Sequence, residues 1–96
     1  MVDLQKIFQE NNKVLIDFYA DWCGPCRMLA PVIEEVKKET AGTLHVVKVD
    51  VDANPQIAAQ YGVRSIPTLA YIKDGKLVKQ AVGFKSKKDI LNMIQD

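Results

Sequence analysis

Cysteine is scarce in this chain of 96 residues: there are two, Cys23 and Cys26, and only two residues separate them. Two cysteines cannot build the multi-bridge framework that stabilises small secreted domains. A bridge between such close residues closes a very short loop and constrains little of the unfolded chain. Chemistry at the sulfur atoms therefore explains the pair better than stabilisation of the fold does.

Histidine is scarcer still, with His45 as the single one. A Cys-x-x-Cys pair is half of a tetrahedral zinc site, which usually takes its other ligands from cysteine or histidine. With no further cysteine and one histidine, the sequence does not offer four such ligands. We therefore expect no metal.

The chain also lacks a large charge imbalance and a long apolar run. Its formal net charge is +1, which indicates no nucleic-acid partner. No apolar run approaches the ~20 residues that span a bilayer, so no membrane partner is expected. The first residues, MVDLQKIFQE, contain no apolar signal core, which favours a cytoplasmic protein. The length predicts one domain over residues 1–96.

Alternating helical and strand patterns predict an α/β fold. Capping residues and apolar spacing predict helices that begin after Asp3, Cys23, Asn54 and Ser86. The runs KVLIDFYA, LHVVKVDVD, TLAYI and KLVKQAVG predict strands, and the turn KDGK joins the last two as a hairpin. Strands separated by helices pair in parallel. We predict a three-layer α/β/α sandwich with a mixed sheet of about four strands.

The segment Trp-Cys-Gly-Pro-Cys follows the first strand and opens the second helix. Free N–H groups and the helix dipole at a helix start favour a thiolate, so we expect a lowered pKa for Cys23. Pro25 suits the first turn, where its missing N–H removes no helical bond, and Gly24 leaves room for a substrate backbone. We assign Cys23, nearer the helix end, as the nucleophile and Cys26 as the deeper, resolving cysteine.

Two charged residues interrupt apolar strands. Asp17 lies five residues before Trp22. It either faces solvent, or lies in a strand covered on both faces, where desolvation raises its pKa. A carboxyl with a pKa near 7 is suited to move protons. Considered by itself, Lys48 is interpreted as a strand residue whose long side chain extends its ammonium to the surface.

Together these residues resemble the thioredoxin family. The resemblance rests on WCGPC, Asp17, Pro31, the segment SIPT and the late Val-Gly pair, and it runs from about Val14 onward. It implies the thioredoxin fold and a protein-disulfide reductase. It also implies recycling by a thioredoxin reductase, an NADPH-dependent flavoprotein. This chain has no Gly-rich dinucleotide fingerprint, so NADPH and flavin are expected on that partner, and no cofactor is expected here.

The resemblance implies further roles around the cysteines. Asp17 would be the buried acid below Cys26 that takes its proton through water, and Lys48 would pair with Asp17. A cis Ile66–Pro67 bond would face the disulfide. The backbone of Ile66 would then pair with an extended segment of the substrate protein.

Trp22, Ile66, Val82 and Gly83 are expected to form an apolar docking surface for the substrate protein. Trp22 could instead fill the core, but beside the nucleophile an exposed indole is the better interpretation. Gly83 is expected there because a side chain would block the approach of a partner.

The sequence departs from the family at its start, because only Met1 and Val2 precede the first helix cap. We expect the family's N-terminal strand to be short or missing, which leaves four strands of five and an uncovered sheet edge. A monomer is nevertheless expected. Two alternatives stay open: an isomerase or oxidase of the same fold, and a thioredoxin-like binding subunit of a larger complex.

Overall fold

The protein consists of a four-stranded mixed sheet with helices on both faces. The structure is a computed structural model that describes residues 2–95. None of the helices in that range has the length and apolarity that spanning a bilayer requires. The predicted α/β architecture is confirmed. In chain order the elements are α1 (Leu4–Glu10), β1 (Lys13–Tyr19), α2 (Gly24–Glu39), β2 (His45–Asp50), α3 (Pro55–Gln60), β3 (Thr68–Lys73), β4 (Lys76–Val82) and α4 (Lys87–Met93).

The sheet has the strand order β2-β1-β3-β4. β1 pairs in parallel with β2 and antiparallel with β3, and the hairpin pairs β3 antiparallel with β4. β1 is therefore an interior strand, with neighbours on both sides. The described residues before α1 form no strand, and β2 lies at the edge of the sheet.

Two hydrophobic clusters lie on opposite faces of the sheet, one against α1 and α3 and the other against α2 and α4. Successive residues of β1 alternate between them, as the pleat requires. Val14, Ile16 and Phe18 belong to the first cluster, and Leu15 belongs to the second. Asp17 follows Leu15 by two residues, so its side chain leaves β1 on the α2 side.

The predicted helix caps are present, with one difference. The side chains of Asp3 and Ser86 accept hydrogen bonds from backbone N–H groups of their first turns. Asn54 occupies the predicted N-cap position, but its side chain makes no capping bond. Its amide instead accepts from the N–H of Val2 at 3.2 Å and donates to the carbonyl oxygen of Asp50 at 3.1 Å. Asn54 thus connects the start of the chain to the end of β2.

Candidate active site

Cys23 and Cys26 form a disulfide at the N-terminal end of α2, with Cα atoms 5.2 Å apart. Cys23 is the N-cap residue, and the backbone N–H of Cys26 donates to its sulfur at 3.2 Å. The same donor and the helix dipole would stabilise a thiolate at Cys23 after reduction. Pro25, in the first turn, has no N–H that could compete. The predicted placement of the pair at the helix start is confirmed.

The two cysteines are almost equally buried, but different residues surround them. Cys23 is 4% exposed and Cys26 is 6% exposed, so residue exposure does not make Cys26 the deeper one. The sulfur of Cys23 lies 3.7 Å from the carbonyl oxygen of Ile66. Cys26 instead lines a pocket that Tyr19 and Lys48 share. Cys23 therefore faces the loop before β3, whereas Cys26 contacts the α2 side of the sheet.

Metal-ligating side chains do not gather elsewhere in the described range. Within residues 2–95, no three or more histidine, cysteine, aspartate or glutamate side chains lie close enough to hold one ion. The two sulfur atoms that a metal would use are bonded to each other.

The loop before β3 contains the predicted cis Ile66–Pro67 peptide bond, which the structure confirms. Ile66 packs against the cluster that contains both cysteines. Pro67 is buried, and its carbonyl oxygen accepts a hydrogen bond from the N–H of Gly83 at 2.8 Å. The start of α2, the loop before β3 and the end of β4 therefore meet around the disulfide.

Trp22 is 68% exposed, so the predicted exposure is confirmed and the core alternative is wrong. Its indole N–H donates to the Asp52 carboxylate at 2.8 Å. Asp52 lies in the turn after β2, 30 residues away in sequence, and no local pattern indicated it. This hydrogen bond orients the indole while its face stays in solvent.

A groove of about 150 Å³ separates Trp22 from Ile66, with Val51, Val63 and Arg64 as its other lining residues. Val63 and Arg64 line this groove beside Trp22 and Ile66, although no sequence pattern singled them out. Their position just before the SIPT segment was the available signal. The groove gives the predicted docking surface a concave part.

Val82 and Gly83 end the sheet near Pro67. Val82 pairs with Thr68 of β3 and is 58% exposed. Gly83 has φ of +93°, a conformation that residues with a Cβ rarely adopt. A Cβ built at Gly83, or at Gly24, would meet no atom within 4 Å. The backbone conformation alone thus explains why glycine occupies position 83. That a side chain there would block a bound partner stays a prediction.

Asp17 is 2% exposed, and its Oδ1 atom has no hydrogen-bond partner in the described chain. Burial raises the pKa of Asp17 to about 6, and the positive charge of Lys48 partly opposes this rise. The raised pKa is therefore confirmed, and the solvent-facing alternative is wrong. Lys48 is the residue opposite Asp17 in the parallel register of β1 and β2.

Lys48 is exposed, and its ammonium lies 4.4 Å from the centroid of the Tyr19 ring. Both residues line a pocket of about 160 Å³ that also reaches Cys26 and Ala30 of α2. The ammonium thus stays at the surface, as expected of a lysine with a solvent-exposed end, while its charge acts on Asp17.

A disulfide that caps a helix, a cis-proline loop against it and an α/β sheet beneath define a thiol–disulfide oxidoreductase. Comparisons with known proteins narrow this class. The family model described as Thioredoxin matches residues 3–96. The chain belongs to the thioredoxin family.

Individual relatives agree with the family model. Thioredoxin of Bacillus subtilis is 52% identical over 81 residues, which are 84% of this chain and 78% of that protein. Thioredoxin 1 of Synechococcus elongatus is 47% identical over 90 residues, or 94% of this chain and 84% of that one. A solved mutant thioredoxin from Halobacterium salinarum superposes with a TM-score of 0.90 at 41% identity, covering 98% of this chain and 81% of that chain.

The protein is a protein-disulfide reductase with a redox-active Cys23–Cys26 pair.

The burial of Asp17 predicts an unusual dependence of stability on pH. Its pKa is about 6 in the folded protein, against 3.8 for an ordinary aspartate, so the folded state binds more protons between these pH values. Stability is then highest below the lower pKa and is lost as pH rises through the higher one. Relative to Asp17→Asn, the free energy of unfolding of the wild type should fall by about 2 kcal/mol from about pH 4.5 to about pH 7.5.

Urea unfolding of the disulfide form at several pH values measures this difference, since the cysteines do not titrate in that form. The control is Asp21→Asn, which removes an exposed carboxyl four residues away. It should keep the wild-type dependence on pH. Parallel curves for wild type and Asp17→Asn would contradict the assigned burial effect.

Proposed function

We propose that Cys23 attacks disulfides of partner proteins and that Cys26 resolves the intermediate. The Cys23 thiolate bonds to one partner sulfur, and the other partner sulfur leaves as a thiolate that takes up a proton. Cys26, after losing its proton, then attacks the Cys23 sulfur and releases the second partner thiolate. Two electrons pass to the partner, and the Cys23–Cys26 disulfide forms. The N-cap position of Cys23, with the Cys26 N–H 3.2 Å from its sulfur, carries this assignment.

Asp17 is proposed to accept the proton that Cys26 loses, through water. Three observations support this role. Its side chain leaves β1 on the side that α2 covers, its Oδ1 has no hydrogen-bond partner within residues 2–95, and its pKa is about 6. A base with this pKa is mostly ionised at neutral pH and can still give the proton up. The positive charge of Lys48 keeps the pKa from rising further.

Substrate proteins are proposed to dock on Trp22, Ile66, Val82 and Gly83, which we call the docking surface. The exposed indole and the exposed Val82 side chain supply apolar area that the fold itself leaves uncovered. The cis bond presents the Ile66 backbone beside the Cys23 sulfur, where an extended segment can add hydrogen bonds as a strand. Gly24 and Pro25 put no bulky polar group in its path.

The oxidised protein is proposed to be recycled by a thioredoxin reductase that holds the flavin and NADPH. The chain itself has no Gly-rich dinucleotide motif. We further propose that it works as a monomer and single domain in the cytoplasm, where a reducing environment keeps dithiols available. The support is the chemistry of the pair, which reduces substrates only when it starts as a dithiol.

Cysteine variants test which sulfur attacks. Cys26→Ser should trap substrate as a mixed disulfide with Cys23, because nothing remains to resolve it, and Cys23→Ser should trap none. Non-reducing electrophoresis and mass spectrometry with insulin as the disulfide substrate measure the adduct. The wild-type protein should accelerate the reduction of insulin by dithiothreitol, and neither variant should do so. An adduct on Cys23→Ser but not on Cys26→Ser would reverse the assignment.

The proton-transfer role of Asp17 predicts a slower reduction in Asp17→Asn. The rate of insulin reduction at pH 7 should fall by about 100-fold, the lower end of the range for loss of a general base. Thiolate formation makes the rate rise with pH in both proteins. The wild type should show an additional rise near pH 6, the pKa of Asp17, and the variant should lack that component. Asp21→Asn serves as the matched control with a wild-type rate. An unchanged rate in Asp17→Asn would refute the role.

Recycling can be measured directly with a purified bacterial thioredoxin reductase. Addition of the oxidised protein should start NADPH oxidation, followed as absorbance loss, and the double Cys23→Ser, Cys26→Ser variant should give none. Absence of turnover with the intact disulfide would exclude that reductase class as the partner.

A further inference from the structure

Tyr19 is the last residue of β1 and lies two residues after Asp17, so both side chains leave the strand on the α2 side. Its ring is half-buried, and the Lys48 ammonium lies 4.4 Å from its centroid. This separation is well within the ≈ 6 Å range in which an aromatic face attracts a cation. The contact joins the neighbouring strands β1 and β2 at the pocket that reaches Cys26.

The contact restricts a side chain that would otherwise be mobile. Lys48 is exposed on an edge strand, and a lysine in that setting has many rotamers of similar energy. In most of them the ammonium extends into solvent, where its effect on a buried carboxyl is screened. The Tyr19 ring favours the rotamers that keep the charge over β1, on the same side as Asp17.

The other charged groups around the pocket do not replace Lys48. Arg27 of α2 also lines it, but its guanidinium donates to the backbone oxygen of Asp21 at 2.8 Å. On the far side of β1, the residue opposite Asp17 is the apolar Leu69. The cysteines are joined in the disulfide and do not titrate.

Carboxylates close to Tyr19 act on its phenol. Burial, then Asp50 and Asp21, and lastly Asp17, raise the pKa of Tyr19. The phenol therefore stays neutral at physiological pH and presents an uncharged ring to the ammonium. Within residues 2–95, the positive charge of Lys48 is the one that opposes the effect of burial on the pKa of Asp17.

We propose that Tyr19 is a positioning residue that holds the Lys48 ammonium over the end of β1 and thereby determines how strongly Lys48 acts on Asp17. The consequence of this positioning for the resolution of mixed disulfides rests on the proposed role of Asp17 as proton acceptor. The positioning itself does not, and it can be measured in the disulfide form, where no thiol titrates.

The test is an NMR titration of the Asp17 carboxyl in the oxidised full-length protein. Tyr19→Leu should move the midpoint upward by roughly 0.2–0.5 pH unit, the size expected when an exposed cation–π contact no longer restricts the ammonium. Tyr19→Phe keeps a ring and should stay within roughly 0.1 pH unit of the wild type. Lys48→Gln should move the midpoint upward at least as far as Tyr19→Leu does.

The double variant decides whether Tyr19 acts through Lys48. If it does, adding Tyr19→Leu to Lys48→Gln causes no further shift, as a thermodynamic cycle requires for a single shared interaction. An equal shift by Tyr19→Leu in both backgrounds would show a separate effect of the ring on hydration and would overturn the proposal. A wild-type midpoint in Tyr19→Leu would overturn it as well. An unchanged reduction rate in Asp17→Asn would instead refute the proton-transfer role and leave this titration result in place.

Discussion

The backbone N–H groups in the first turn of α2 have no carbonyl partner within the helix, and the sulfur of Cys23 occupies the capping position. A cap is usually an oxygen of serine, threonine, aspartate or asparagine. With sulfur there, the interaction that begins the helix is also the one that stabilises a thiolate. The remaining features are arranged around this cap: Cys26 lies one turn on, and the Ile66 carbonyl is beside the sulfur. A change that displaced the start of α2 would therefore change the chemistry and the fold together.

Asp17 shows the opposite relation, in which a buried ionisable group destabilises the fold. Its carboxyl is buried and Oδ1 has no hydrogen-bond partner within the described chain, so ionisation at neutral pH is unfavourable in the folded state. The interior position of β1 and the apolar cluster against α2 and α4 hold the strand in place despite this. The Lys48 charge, held on the Tyr19 ring, offsets part of the unfavourable energy from outside the core.

Local patterns predicted the elements and the cysteine site, because capping, apolar period and the CGPC segment are all short-range signals. Contacts between distant segments were not predictable in this way. The hydrogen bond from Trp22 to Asp52, the ring of Tyr19 under Lys48 and the use of Asn54 as a connector all depend on how separate loops meet in space. The cis bond before Pro67 is an intermediate case: the general frequency of such bonds argues for trans, and only the family resemblance indicated cis.

The strand order separates the edges of the sheet, which are exposed to fraying, from the strands that hold Asp17 and follow the proline loop. β2 and β4 are the edges, where backbone hydrogen bonds open most readily. β1, which holds Asp17 and leads to Trp22, is an interior strand, and so is β3, which begins after Pro67. Local opening at either edge can thus occur without separating the strands that bring the disulfide and the proline loop together. The molecule can lose order at its margins and keep its reactive centre assembled.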